Sequence, residues 1–137
     1  MGTKMHGEYL GELQMVMTHE GSGAEILTDA PKDNQGLGRN FSPTDLFSVS
    51  LPSCMLTTMG IYAKQKEISL EGSSFSVEKI MTPKPPRMVQ ELRVQIHLPS
   101  ALTEQEREVL ERVGATCPVH RSLSPEVTVS VEYFYDR

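Results

Sequence analysis

The segment after Ser42, PTDLFSVSLPSCMLTTMGIYAKQK, constrains the fold more than any other. Its start is marked for a helix: Ser42 is placed to cap, Pro43 takes the first helical position and Asp45 the third. The expected helix runs from Pro43 to about Lys66. Leu46, Phe47, Val49, Leu51, Met55, Leu56, Met59, Ile61 and Tyr62 cover nearly every face of it. A helix apolar all round requires burial all round. A small sheet covers one side only, so a second protomer is expected on the other. Pro52 falls inside the helix, where it removes one N–H and crowds the carbonyl of Ser48, so a kink is expected there.

Strands are expected on both sides of this helix. Leu13, Met15 and Met17 alternate with Gln14, Val16 and Thr18, and EGSG then turns into a second strand around residues 24–28. DAPKDNQGLGRN, Asp29 to Asn40, is loop by composition. After the helix, strands are expected at 74–80 and 88–98. The second places Leu92, Val94, Ile96 and Leu98 on one face and Arg93, Gln95 and His97 on the other. Thr103 and Glu106 form a capping box for a helix to about Gly114, and a short helical turn follows from Pro118. Val127, Val129, Val131 and Tyr133 mark a last strand. The order predicts a single α+β domain over residues 1–137, with antiparallel pairing and a long buried central helix.

The 137 residues suffice for one real core. Net charge is −5 with no basic run, which argues against nucleic acid and anionic membrane surfaces as partners. No apolar stretch is read as approaching the ~18 residues of a membrane span. The N-terminus, MGTKMHGEYLGE, lacks an apolar signal core, so the expected location is the cytoplasm. Two cysteines exclude a disulfide scaffold and a four-cysteine zinc site.

Those two cysteines carry the candidate chemistry. Cys54 sits in the helix with Phe47, Leu51, Thr58 and Ile61 on its face. It is either a buried, inert thiol or, if Pro52 lets a new helical segment start nearby, a thiol favoured as thiolate by unpaired N–H groups. Cys117 precedes Pro118 at the start of a helical turn, a position that tends to lower a thiol pKa; His120 and Arg121 follow within one turn. The alternative is an ordinary loop cysteine. Cys117 and His120 also have metal-ligand spacing, but no paired-ligand motif accompanies them, so no metal is expected. GLGRN lacks the context of a phosphate loop, and no nucleophile elbow is present.

FSPTDLFSVSLPSCMLTTMGIYA and CPVHRSL, with cysteines 63 residues apart, together resemble the OsmC/Ohr family of organic hydroperoxide reductases. The resemblance spans essentially the whole chain. It implies an intertwined homodimer, with sheets wrapped around paired central helices and active sites at the subunit interface. It implies that Cys54 is the peroxidatic and Cys117 the resolving cysteine, that the substrate is an organic hydroperoxide, and that an external thiol or dithiol is the reductant, with no cofactor. Peroxidases of this family also carry an arginine and a glutamate that activate the cysteine. The glutamate follows the proline of the helix-opening motif, ten residues before the cysteine; here that position is Thr44. Asp45, nine residues before Cys54, is the nearest acid. On an ideal helix ten residues separate side chains by about 80° and nine by about 180°, and Asp45 is equally the capping-box acid. Arg39 is the candidate arginine, with Arg87 and Arg93 as alternatives. The departure at Thr44 points to a divergent branch and leaves a second reading, a non-catalytic dimer binding a small apolar or electrophilic molecule in an interface cleft.

Overall fold

The computed structural model describes residues 2–137. They divide into two compact units, one ending at Phe47 and one from Ser48 to Arg137.

The first unit is a three-stranded antiparallel sheet, β1 (Met5–Gly11), β2 (Gln14–His19) and β3 (Glu25–Asp29), in that order. β1 was not expected. MHGEYLG has two glycines and no apolar alternation, and nearly all of it is exposed, so neither face had reason to be patterned. The β1–β2 turn is equally unannounced. Glu12 and Leu13 take the positive φ angles, 53° and 64°, that usually go to Gly or Asn. Leu13 therefore belongs to this turn rather than to β2, and its N–H donates to the Tyr9 hydroxyl at 3.2 Å. Among the described residues no buried apolar residue lies in this unit, whereas Met5, Tyr9, Leu10, Ile26 and Leu27 are exposed.

The second unit holds the core. β4 (Ser74–Met81) pairs antiparallel with β5 (Val89–His97), and β5 pairs with β6 (Thr128–Phe134). The β5–β6 pairing is parallel, against the antiparallel expectation. A parallel pair needs a long crossover, and α2 (Glu104–Gly114) and α3 (Pro118–Ser122) supply it. Leu92, Val94, Ile96 and Leu98 are sealed, with Arg93 and Gln95 on the opposite, exposed face, as their alternation predicts. The capping box of α2 is present: Thr103 Oγ1 accepts from the Glu106 N–H, and the Glu106 carboxylate accepts from the Thr103 N–H.

α1 (Pro43–Gln65) starts in the first unit and continues into the second. It runs unbroken through Pro52, so no new helical segment starts near Cys54. Its buried residues, Ser48, Leu51, Pro52, Met55, Met59 and Ala63, recur at helical spacing and form one stripe. Phe47 and Ile61 remain exposed, so within one chain the helix is buried on a single side. α1 is also long and apolar enough to cross a membrane, which corrects the sequence reading that no such stretch exists. A helix that packs a buried stripe into a core passes the same test of length and composition.

Candidate active site

The second unit brings Cys54 and Cys117 together. Both are free thiols, and Cys54 packs against the core cluster that holds Cys117, close enough for the two side chains to influence each other. Cys54 is half-buried on α1, and Thr58 Oγ1 donates to its carbonyl at 2.8 Å. Cys117 has no exposed surface. It is the N-cap of α3, with Pro118 at the first helical position, and its Sγ accepts the His120 N–H at 3.3 Å.

The environment of Cys117 reverses the sequence expectation. Burial pushes its thiol pKa up, the His120 N–H opposes this, and the neighbouring Cys54 adds to the rise. A helix start was expected to favour thiolate, but α3 has only five residues and Cys117 lies in the core. Desolvation outweighs one N–H donor. Arg121, expected to add positive charge, instead donates from Nε to the Thr116 carbonyl at 3.0 Å.

The other candidates occupy defined positions. In the first unit, Arg39 grips Asp29. Its Nε donates to Oδ2 at 2.8 Å, its second guanidinium nitrogen to Oδ1 at 3.3 Å, and its backbone N–H to Oδ2 at 2.9 Å. Arg39 holds the fully buried Asp29 carboxyl below the usual carboxylate range. Asp45 closes a capping box with Ser42: each backbone N–H donates to the other's side chain, at 2.9 and 3.0 Å. Thr44 Oγ1 lies 3.2 Å from Ser42 Oγ. Arg93 is on the exposed face of its sheet, bonded to Glu91 and Glu78, opposite the face that Leu92, Val94 and Ile96 bury in the core. Arg87 is exposed in the β4–β5 loop. Among the described residues no group of three or more His, Cys, Asp or Glu is arranged to hold a metal ion.

Asp29 was missed in the sequence. Nothing at the end of a strand marks an acid as the partner of an arginine ten residues on; the loop's own folding makes that pair.

The geometry, two neighbouring thiols on a central helix and a helical turn, is accompanied by a match over residues 35–132 to the model of the OsmC-like proteins. The chain belongs to the OsmC-like family. A solved structure from Psychrobacter arcticus, described as a candidate osmotic stress induced and detoxification response protein, is 39% identical, with 97% of each chain covered and a TM-score of 0.91. An organic hydroperoxide resistance protein OsmC from Legionella pneumophila shares this OsmC-like fold at 19% identity, covering 98% of this chain and 97% of that one, with a TM-score of 0.76. An uncharacterised protein from Acinetobacter baylyi is 20% identical over 82% of this chain and 79% of its own length.

Proposed function

We propose that this protein is a thiol-dependent peroxidase that reduces organic hydroperoxides in the cytoplasm, working as a homodimer. The proximity of Cys54 and Cys117 carries this reading. The Cys54 thiolate attacks the peroxide; the O–O bond breaks, Cys54 becomes a sulfenic acid, and the departing alkoxide takes a proton from water to leave as ROH. The Cys117 thiol then displaces the sulfenic hydroxyl as water, and a Cys54–Cys117 disulfide forms. Two equivalents of an external thiol reduce it and leave as their own disulfide. Attack falls on Cys54, the less buried of the two cysteines, so Cys117 is the leaving thiolate and the His120 N–H receives its charge.

Two observations support the dimer. The first unit's sheet has no buried apolar residue among the described residues, and the outer side of α1 leaves Phe47 and Ile61 open. Three bare strands need an apolar face packed against something. Among relatives, a candidate organic hydroperoxide resistance protein from Vibrio cholerae, 18% identical with a TM-score of 0.74, holds captopril in one of its active sites.

The test is peroxide loss when purified protein is mixed with cumene hydroperoxide and a dithiol. Thiol-dependent consumption is expected, abolished in Cys54→Ser. Consumption equal to that control would overturn the reading. It would leave the second one, a binding dimer without turnover, which Thr44 in the place of the family's glutamate favours.

A further inference from the structure

Apart from the thiol pair, the second unit contains a cleft of about 550 Å³, within the size range of small-molecule sites. α2 forms one wall. Its sequence turns Leu110 and Gly114 into the core and leaves Glu108 and Glu111 on the cleft side, one turn apart. Met55 from α1 and Val131 and Tyr133 from β6 provide an apolar lining, and His120 from α3 completes it.

The polar groups define what fits. Two carboxylates and one guanidinium, Arg112, line the cleft, an excess of one negative charge among these permanently charged groups. Glu111 is held in place by the Tyr135 hydroxyl, and Arg107 stacks on the Tyr135 ring at 4.2 Å. Burial and the Glu111 charge push the Tyr133 phenol up to about 12, so at neutral pH it adds no charge of its own. His120 Nδ1 is buried without a hydrogen-bond partner, although its ring lines the cleft. The Tyr133 ring also offers a π face, which attracts cations.

We propose that this cleft is a binding site for a small primary amine with an apolar arm, its ammonium seated at Glu108 and Glu111 and its arm on Met55, Val131 and Tyr133. An ammonium brings three donors, enough for both carboxylates. A carboxylate ligand would meet two like charges. Binding here requires no turnover at Cys54, so the site stands whether or not peroxide is consumed.

Benzylamine, titrated calorimetrically into the reduced full-length protein at neutral pH, tests it. The expected result is saturable binding at one site per chain, weakened roughly tenfold or more in Glu108→Gln and in Glu111→Gln, as loss of a charge-assisted hydrogen bond implies. Glu108 is exposed, so its variant keeps the fold, and the amide oxygen introduced by Glu111→Gln retains an acceptor for Tyr135. Benzyl alcohol, the same arm without charge, is expected to bind about tenfold more weakly or worse. Absence of saturation up to about 20 mM benzylamine, a weak affinity even for a fragment, would overturn the proposal. So would equal binding of benzyl alcohol or benzoate, or unchanged affinity in both variants.

Discussion

Cys117 is sealed in the core while Cys54, its neighbour, keeps exposed surface. The asymmetry sets which thiol reagents reach and how the fold responds to base. Cys117 has a raised pKa, so the native state holds its proton at a pH where the unfolded chain has begun to lose it, above about 8.5. Its contribution to stability is complete below that pH and is lost as pH rises toward the folded value. Urea midpoints are expected to fall between about pH 8.5 and 10, before tyrosines ordinarily ionise. Cys117→Ala should flatten the slope in that window; an unchanged slope would show that Cys117 is not its source.

The same asymmetry fixes the regiochemistry of reduction under the peroxidase reading. Diamide-oxidised protein, treated with limiting 2-mercaptoethanol and quenched with N-ethylmaleimide, is expected to carry the mercaptoethanol adduct on Cys54 and the alkyl group on Cys117. Peptide mass mapping reads the outcome directly. An adduct on Cys117 would mean that the core opens before the disulfide is attacked.

Asp29 and Arg39 form the charged anchor of the first unit. The lowered Asp29 pKa gives stability that is complete above the ordinary carboxylate value, about 3.9, and is lost as pH falls toward the folded value. Arg39→Ala strands a buried carboxylate, whereas Asp29→Asn with Arg39→Ala removes the charge as well. At neutral pH the single variant is expected to melt at lower temperature than the double variant, and the gap should close as acid protonates the stranded carboxyl. Arg39→Lys, which cannot make the two-pronged contact, should fall between wild type and Arg39→Ala.

At the start of α2, Thr103 and Glu106 satisfy each other's N–H groups. Thr103→Ala is expected to cost about 1 kcal/mol in chemical denaturation. Thr103→Ser should recover most of it, because the hydroxyl rather than the methyl group does the capping.

The second unit was largely legible in the sequence, because its elements bury one face and periodicity records that. β5 alternates cleanly, and both helix starts carry their caps. In the first unit β2 and β3 were legible from alternation and the EGSG turn, but β1 was not, because almost none of it is buried and no apolar pattern marks it. The β1–β2 turn uses Glu12 and Leu13 where Gly or Asn would have announced it. The resemblance of their motifs implied that the two cysteines lie near each other, but the direction of the Cys117 shift was not legible. Capping is a local signal; burial of the cap depends on Leu92, Ile96 and other residues distant in sequence.

The loop before α1 offers a test of close packing that no side-chain contact shows. A Cβ at Gly36 would lie 1.8 Å from the Ala30 carbonyl oxygen and 2.1 Å from its carbon. Both are backbone atoms, so no rotamer change can relieve the overlap. The Ala30 carbonyl also accepts the Gly38 N–H, and the Gly36 N–H donates to Pro31, so the loop cannot shift without losing hydrogen bonds. Three residues later this loop delivers the Arg39 N–H to Asp29. Gly36→Ala is therefore expected to destabilise the protein by about 1–3 kcal/mol, the usual cost of overpacking. It should appear as a lower urea midpoint with an unchanged slope. Gly21→Ala, whose new Cβ would approach only the His19 ring at 3.4 Å, is the control and should change the midpoint little. If the two variants unfold alike, the 30–38 loop is not held as tightly as its backbone contacts require.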